Sequence, residues 1–463
     1  DAEQFNSIPK RAYLINGIKV RIPAANSTGT QNTAVGSGAL DASSTFSNNT
    51  AVGYAAMTDA NGAVDSVAVG SEALANVTTG DYNVGVGFQA LKTITTSGNC
   101  VAVGYQALEN NTAGNNTAVG SNALQANTTG TDNTAVGKDA LLVNTTGSEN
   151  IAIGKQALDA NTDGGRNIAV GKYSLSENTT GTGNVAVGDQ ASYTNITGSN
   201  SVAIGRRALY LNTGSENVAV GAYAGEDLVG LYNTLIGYTA GRNITTATGN
   251  TVLGHNCLVA LVTGNNNVSI GINNLYQANG GSNNVCVGAG AGAAVTSGYS
   301  NTFIGINGGM SMTTGNNNTC IGLNSDVPSS SATNTVTLGD GNISNLRCAD
   351  TSISSLSDRR DKKNITNLPE GIDFINKLRP VKFEWATREG LPAKDGTIRA
   401  GFIAQELQEA QTGSEYLDLV MDENPDKLEA KQGKLVPVLV KAIQELSAKN
   451  DALEARLATL EGS

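Results

Sequence analysis

The sequence predicts an all-β repeat solenoid with a 17-residue unit, followed by a small α+β domain that ends in a long helix. Three observations carry this. A short apolar unit recurs through most of the chain at nearly constant spacing. Glycine and charge separate sharply along the sequence: 49 of 56 glycines precede Ser357, whereas residues 357–463 hold 16 of the 29 Lys and Arg and 19 of the 40 Asp and Glu. The last stretch carries one heptad pattern of apolar residues.

The repeat is marked by the glycine of Asn-Thr-Ala-Val-Gly. It recurs 19 times from Gly36 to Gly339; fifteen of the spacings equal the full period and three fall one short of it. A period of this length points to a stacked architecture, because so small a unit cannot bury an apolar face alone. Three places before each glycine stands a β-branched residue, from Thr33 to Val336. One place before it stands Val, Ile or Leu, and the residue between is small in most copies. Such alternation predicts a short strand with one bulky, buried face and one tightly packed face. Four places before the glycine, 15 of 19 copies have Asn. A stacked Asn column can hydrogen-bond along the stack and hold a corner. The glycine suits a sharp bend or a close backbone approach. Ala-Leu pairs such as Ala39-Leu40 and Ala107-Leu108 predict a second inward edge, and Thr-Gly turns close most units. No proline occurs between Pro23 and Pro328, so no ladder donor is lost. Stacking 19 units at ~4.8 Å gives a rod on the order of 90 Å. With so thin a core, lateral association of three chains is expected.

Before the repeat, residues 1–30 form an N-terminal cap or attachment segment. Two short strands, Ala12–Ile15 and Ile18–Ile22, are expected around the turn dipeptide Asn16-Gly17. The repeat fibre covers 31–341 and a linker covers 342–356. In 357–463 the patterns predict a helix over Pro369–Leu378, a strand over Val381–Trp385, a strand over Arg399–Ala404 running into a helix Gln405–Ala410, and a strand over Tyr416–Met421. A coiled coil is expected over 435–461. Its seam is Val436, Leu439, Ile443, Leu446, Leu453, Leu457 and Leu460, with Asn450 as a polar core position that fixes register.

Composition excludes several functions. A net charge of −11 without basic clusters argues against nucleic-acid binding. No stretch approaches the ~20 apolar residues of a membrane span, so no membrane insertion is expected. The five cysteines are scattered, His255 is the single histidine, and no cofactor or metal site is expected. The triplets at Asn127, Asn144 and Asn178 match the glycosylation pattern, but the turns demand the same residues.

Two family resemblances follow from these motifs. Units such as Asn200-Ser201-Val202-Ala203-Ile204-Gly205 resemble the head repeats of trimeric autotransporter adhesins, which implies a trimeric parallel β-roll. The C-terminal segment resembles the intramolecular chaperone domain of phage tail fibres and tailspikes, the peptidase S74 family. The matching blocks are Ser357-Asp358-(x)3-Lys362-x-Asn364-Ile365, Leu378-Arg379-Pro380-Val381-x-Phe383, Gly401-Phe402-Ile403-Ala404-Gln405-Glu406 and Leu435–Leu446. The resemblance implies a homotrimer, a chaperone that helps the preceding fibre fold, and self-cleavage between Leu356 and Ser357 by a Ser357–Lys362 dyad. It also implies a virion tail fibre assembled in the host cytoplasm. Its expected partners are other virion tail proteins and a host cell-surface glycan or other receptor.

The chemistry has its own logic. A serine hydroxyl needs a base, and a neutral amine can serve. An ordinary lysine is neutral in only about one molecule in 2,500 at pH 7. Burial or positive neighbours such as Arg359, Arg360 and Lys363 must therefore depress it. Lys363 is the alternative base. Asp358, Asn364, Gln405 and Glu406 read as structural or assembly residues. Competing readings are a bacterial surface adhesin, which needs a C-terminal membrane anchor that 357–463 does not resemble, a chaperone domain retained without cleavage, and a polysaccharide-degrading spike, which needs a carboxylate pair.

Overall fold

The structure, a computed structural model, describes residues 13–15, 18–21, 31–41, 46–260, 263–343, 346–347, 357–384, 397–426 and 428–462. Two compact units divide the chain. The first is the repeat region through Leu338, and the second consists chiefly of the residues from Gly339 onward.

The repeat region is a β-solenoid. Each marker glycine directly follows one short parallel strand, from β3 (Thr33–Val35) to β21 (Val336–Leu338), except that three strands, Thr251–His255, Val268–Ile272 and Val285–Ala289, run through it, and every strand pairs in register with the next. Thus Ile151, Ala152 and Ile153 lie beside Ile168, Ala169 and Val170. At the start, β1 (Tyr13–Ile15) and β2 (Ile18–Arg21) form an antiparallel hairpin, and β2 continues antiparallel onto β3. The hairpin thereby covers the free edge of the first rung, an edge that would otherwise pair with another chain. Asn16 and Gly17 lie outside the described residues.

The two faces of each strand are arranged opposite to the sequence expectation. The small central residue points inward and is fully buried, as in Ala152 and Ala169, while the bulky flanking residues point outward. The reason is space. The interior of the coil is shared with the Leu of the Ala-Leu edge, which is buried throughout, as in Leu108, Leu124 and Leu158. A strand Ala opposite an edge Leu fills the narrow interior in most rungs; where the inward strand residue is larger, as in Leu235 and Phe303, the edge position facing it is Gly241 or Gly309. Ile153, Leu253 and Ile321 accordingly remain 41%, 47% and 40% exposed in the single chain.

The Asn column does what its spacing predicts. Asn150 is buried; its backbone N–H donates to Asn133 Oδ1 at 3.0 Å and its Nδ2 donates to Gly164 O at 2.8 Å. Its own Oδ1 accepts from Asn167 N–H at 3.0 Å. Where Ser replaces Asn, the hydroxyl takes over, as Ser66 Oγ does for Asn83 N–H at 3.0 Å. A second ladder uses the Asn that opens the closing turn of successive units, that of the Asn-x-Thr triplets included. Asn144 Nδ2 donates to Asn127 Oδ1 at 2.8 Å, and Asn161 Nδ2 donates to Asn144 Oδ1 at 2.7 Å. Asn127, Asn144 and Asn178 are all buried, so the turn explains them and the glycosylation pattern does not.

The C-terminal unit is α+β with shorter elements than expected. Helix α1 spans only Ile372–Ile375. Strand β22 (Val381–Phe383) pairs antiparallel with β23 (Arg399–Gly401), and Trp385 lies outside the described residues. Helix α2 covers Ala404–Ala410. The strand expected over Tyr416–Met421 is instead a 3-10 turn, Glu415–Leu417, followed by β24 (Val420–Met421), which pairs with β25 (Glu429–Ala430). Asp418 between them adopts a left-handed conformation, which breaks the extended run. Helix α3 runs Val436–Glu461, with Pro437 in its first turn, where a missing N–H costs nothing. Phe374, Leu407, Leu417, Leu419, Val420, Leu435 and Val438 form the core.

Only Val438 and Ala442 of α3 are buried in this unit. The heptad residues lie elsewhere on the helix and are open: Ile443 is 66% exposed and Leu446 61%. The seam is thus distinct from the face that packs on its own domain. Among the described residues no helix is long and apolar enough to cross a membrane.

Candidate functional site

Ser357 and Lys362 are brought together by a single turn. Asp358 is extended and caps a 3-10 turn, Arg359–Asp361, by accepting Arg360 N–H at 2.8 Å. Asp is a favoured residue at such a cap because its carboxylate satisfies a free amide. The chain leaves the turn at Lys362, again extended, whose N–H donates to Arg359 O at 3.2 Å. Extended, turned and extended again, the segment folds back on itself. Lys362 Nζ therefore donates to Ser357 Oγ at 2.6 Å. Lys362, rather than Lys363, is the amine seated on the serine.

Charge around this contact is partly neutralised. The Arg360 guanidinium folds onto Asp358 at 2.6 Å. Its hydrogen bonds hold the Asp358 carboxyl below the usual range, and Asp358 in turn raises Arg360. Residues 357–364 are all exposed in the single chain. Leu356, the expected acyl side of the cut, lies outside the described residues. Among the described residues no group of three or more His, Cys, Asp or Glu is placed to hold a metal ion.

Contacts far apart in sequence hold the rest of the unit. Glu406 pairs with Arg379, so two of the sequence blocks meet there. Glu445 on α3 accepts Ile372 N–H at 2.9 Å and caps α1 from a distant part of the sequence. Glu370 accepts from the hydroxyls of Ser414 and Tyr416, and Lys431 reaches Asp418 at 2.7 Å. No local pattern in the sequence marks these pairs, because each joins segments that meet only in the fold.

The repeat region holds aromatic contacts that the sequence reading missed. Tyr193 and Tyr210 stack at 5.3 Å, Tyr238 and His255 at 5.4 Å, and Phe88 and Tyr105 at 5.4 Å. Each pair is one rung apart, so the repeat period was the signal that pointed to them.

Residues 357–416 match the family model Peptidase_S74, chaperone of endosialidase. The match begins at Ser357 and spans the first three sequence blocks. No curated protein and no solved structure matches the chain.

Proposed function

We propose that this chain, a tail-fibre or tailspike-like protein with a C-terminal chaperone domain, is assembled as a homotrimer by that domain, which then cuts itself free before Ser357. The observation that carries this is the 2.6 Å contact between Lys362 Nζ and Ser357 Oγ at the first residue of the family match.

The chemistry runs as a single turnover. Neutral Lys362 takes the Ser357 hydroxyl proton while Oγ attacks the Leu356 carbonyl carbon. The new C–O bond forms an ester, the C–N bond breaks, and the proton passes to the departing Ser357 nitrogen. Water then hydrolyses the ester and leaves a free carboxylate on Leu356 and the restored hydroxyl on Ser357. An exposed ammonium is a poor base, and in the single chain this pair is open to solvent. Packing of three chains around the pair would desolvate the amine and favour its neutral form. The cut then follows assembly.

Two uncovered apolar surfaces support the trimer. The solenoid carries outward Val and Ile side chains on rung after rung, and α3 carries the seam through Ile443 and Leu446. Soluble single chains rarely leave such stripes open. The mature fibre is read as part of a virion, attached to other tail proteins and to a receptor on the host surface.

Denaturing gels of the expressed chain test this. Wild type should split into a large fragment and a small one that comprises 357–463. Ser357→Ala and Lys362→Ala should stay whole, and Lys363→Ala should still split. An uncut wild type removes the peptidase reading and leaves a retained chaperone. Light scattering that gives any number other than three chains removes the trimer.

A further inference from the structure

One rung of the solenoid is sunken. From Gly288 to Ala294 the sequence is only Gly and Ala. Five places after the marker glycine, three successive rungs present Tyr276, Ala293 and Met310. Two places after it they present Asn273, Gly290 and Asn307. Large, small, large at both outward positions leaves a recess. The structure has a groove of about 470 Å³ there, lined by Asn256, Asn273, Tyr276, Gln277, Met310 and the two alanines at its floor.

Elsewhere this surface closes on itself. Gln106 Nε2 donates to Gln89 Oε1 at 2.9 Å, Asn307 Nδ2 to Asn324 Oδ1 at 3.0 Å, and Arg242 pairs with Glu226 at 2.6 Å. Gly290 interrupts that side-chain column directly after Asn273. Asn273, Tyr276, Gln277 and Met310 are left exposed around the recess, with Tyr276 at 45%.

We propose that this groove binds a neutral oligosaccharide bearing acetamido groups. No lining residue is charged, so a charged ligand would find no counter-ion. A pyranose has an apolar C–H face that lies against the negative face of an aromatic ring. The Tyr276 ring offers that face at one wall. The Asn273 and Gln277 side chains supply paired donors and acceptors for hydroxyls and for an acetamido group, and Asn256, whose Oδ1 already accepts from the Thr239 hydroxyl, adds its Nδ2. The Met310 thioether and the Ala293 methyl take the acetyl methyl. The walls stand two rungs, about 10 Å, apart, which admits a sugar chain and excludes a folded domain. This inference rests on the receptor-binding part of the proposed function and not on self-cleavage, so the gel experiment and the one below fail independently.

The test uses the whole chain as expressed and saturation-transfer NMR with N,N′,N″-triacetylchitotriose at ~10 mM, where even a millimolar site is filled. Saturation of the acetyl methyls is expected. Tyr276→Ala, which removes the stacking wall, and Ala293→Phe, which fills the recess, should each weaken binding roughly tenfold. No saturation in the wild type overturns the proposal, as does undiminished binding in both variants. Equal saturation of maltotriose or sialyllactose overturns the assignment to neutral acetamido sugars. A change of oligomeric state in Tyr276→Ala shows that another copy of the chain covers the groove, and that also overturns it.

Discussion

Replacing one marker glycine by alanine should open the stack locally, and the structure gives the size of the effect. Gly205 has φ +132°, and a Cβ there would meet the carbonyl carbon and oxygen of Gly221 in the next rung at 2.6 Å. Backbone in that region costs an L-residue about 1–3 kcal/mol. Relief of the contact requires the rungs to separate by close to 1 Å, since ordinary Cβ contacts begin at 3.4 Å. That shift breaks the bonds from Gly221 N–H to Ile204 O at 2.7 Å and from Tyr223 N–H to Arg206 O at 2.9 Å. Each contributes about 1 kcal/mol, so the total is about 4 kcal/mol, near a thousandfold in the opening equilibrium. Gly62 is the control. Its φ is +109°, but the nearest atom to a Cβ there is Thr79 Cγ2 at 3.6 Å. Gly62→Ala carries only the backbone strain, about 2 kcal/mol or thirtyfold. Hydrogen exchange read by mass spectrometry on peptides covering 200–225 and 58–80 measures both, because stability in a stack is local. Equal loss of protection at the two sites would refute the claim that close approach between rungs fixes the glycine.

Two further outcomes are expected in the C-terminal unit. Ile443 is open in the single chain, so Ile443→Asp should leave the domain folded by circular dichroism yet yield single chains by light scattering; persistence of trimers refutes the seam. Acid should weaken the unit. Glu370 titrates low because its hydrogen bonds to Ser414 and Tyr416 outweigh the opposing effect of burial; Asp418 is held down by Lys431, and Glu445 by the Ile372 N–H. Carboxyls with lowered folded values stabilise above their ordinary values of 4.5 and 3.8 and lose that contribution as pH falls through the lowered ones. The thermal midpoint of the unit should therefore fall as pH drops from about 5 to 3, and Glu445→Gln should reduce the slope.

The columns of the repeat are legible because each position meets the same surroundings in every rung. Asn four places before the glycine, Leu on the second edge and the glycine itself all behave as their spacing implies. The inward face is not legible by size alone. Alternation defines two faces, and the usual rule sends the bulky one inside. Here Leu108 and its equivalents occupy the interior, as the Ala-Leu pairs imply, but how little space they leave for the strand side chains is set by the stacked rungs. The second Asn ladder was within reach, since Asn127, Asn144, Asn161 and Asn178 recur with the period of the marker glycine. In the C-terminal unit, the i to i+5 contact of Ser357 and Lys362 follows from one capped turn. The Glu445 cap on α1 does not, because it joins helices distant in sequence.

On the proposed trimer, the reversed strand faces give the C-terminal domain a task. Outward Val and Ile repeat nearly unchanged from rung to rung, so the face of one chain complements another almost equally well after a slip of one whole rung. Apolar attraction between such faces is strong but indifferent to register. A stack of three identical rods needs its alignment set somewhere that does not repeat. The seam of α3 is such a place: it is short, and Asn450 interrupts its apolar run once. A single polar core position discriminates between registers because misalignment buries it against leucine. On the proposed reading, alignment is set at the helix and passed rung by rung into the solenoid. Once the rungs are paired, the helix has no further role, and a cut that waits for assembly removes it without loss.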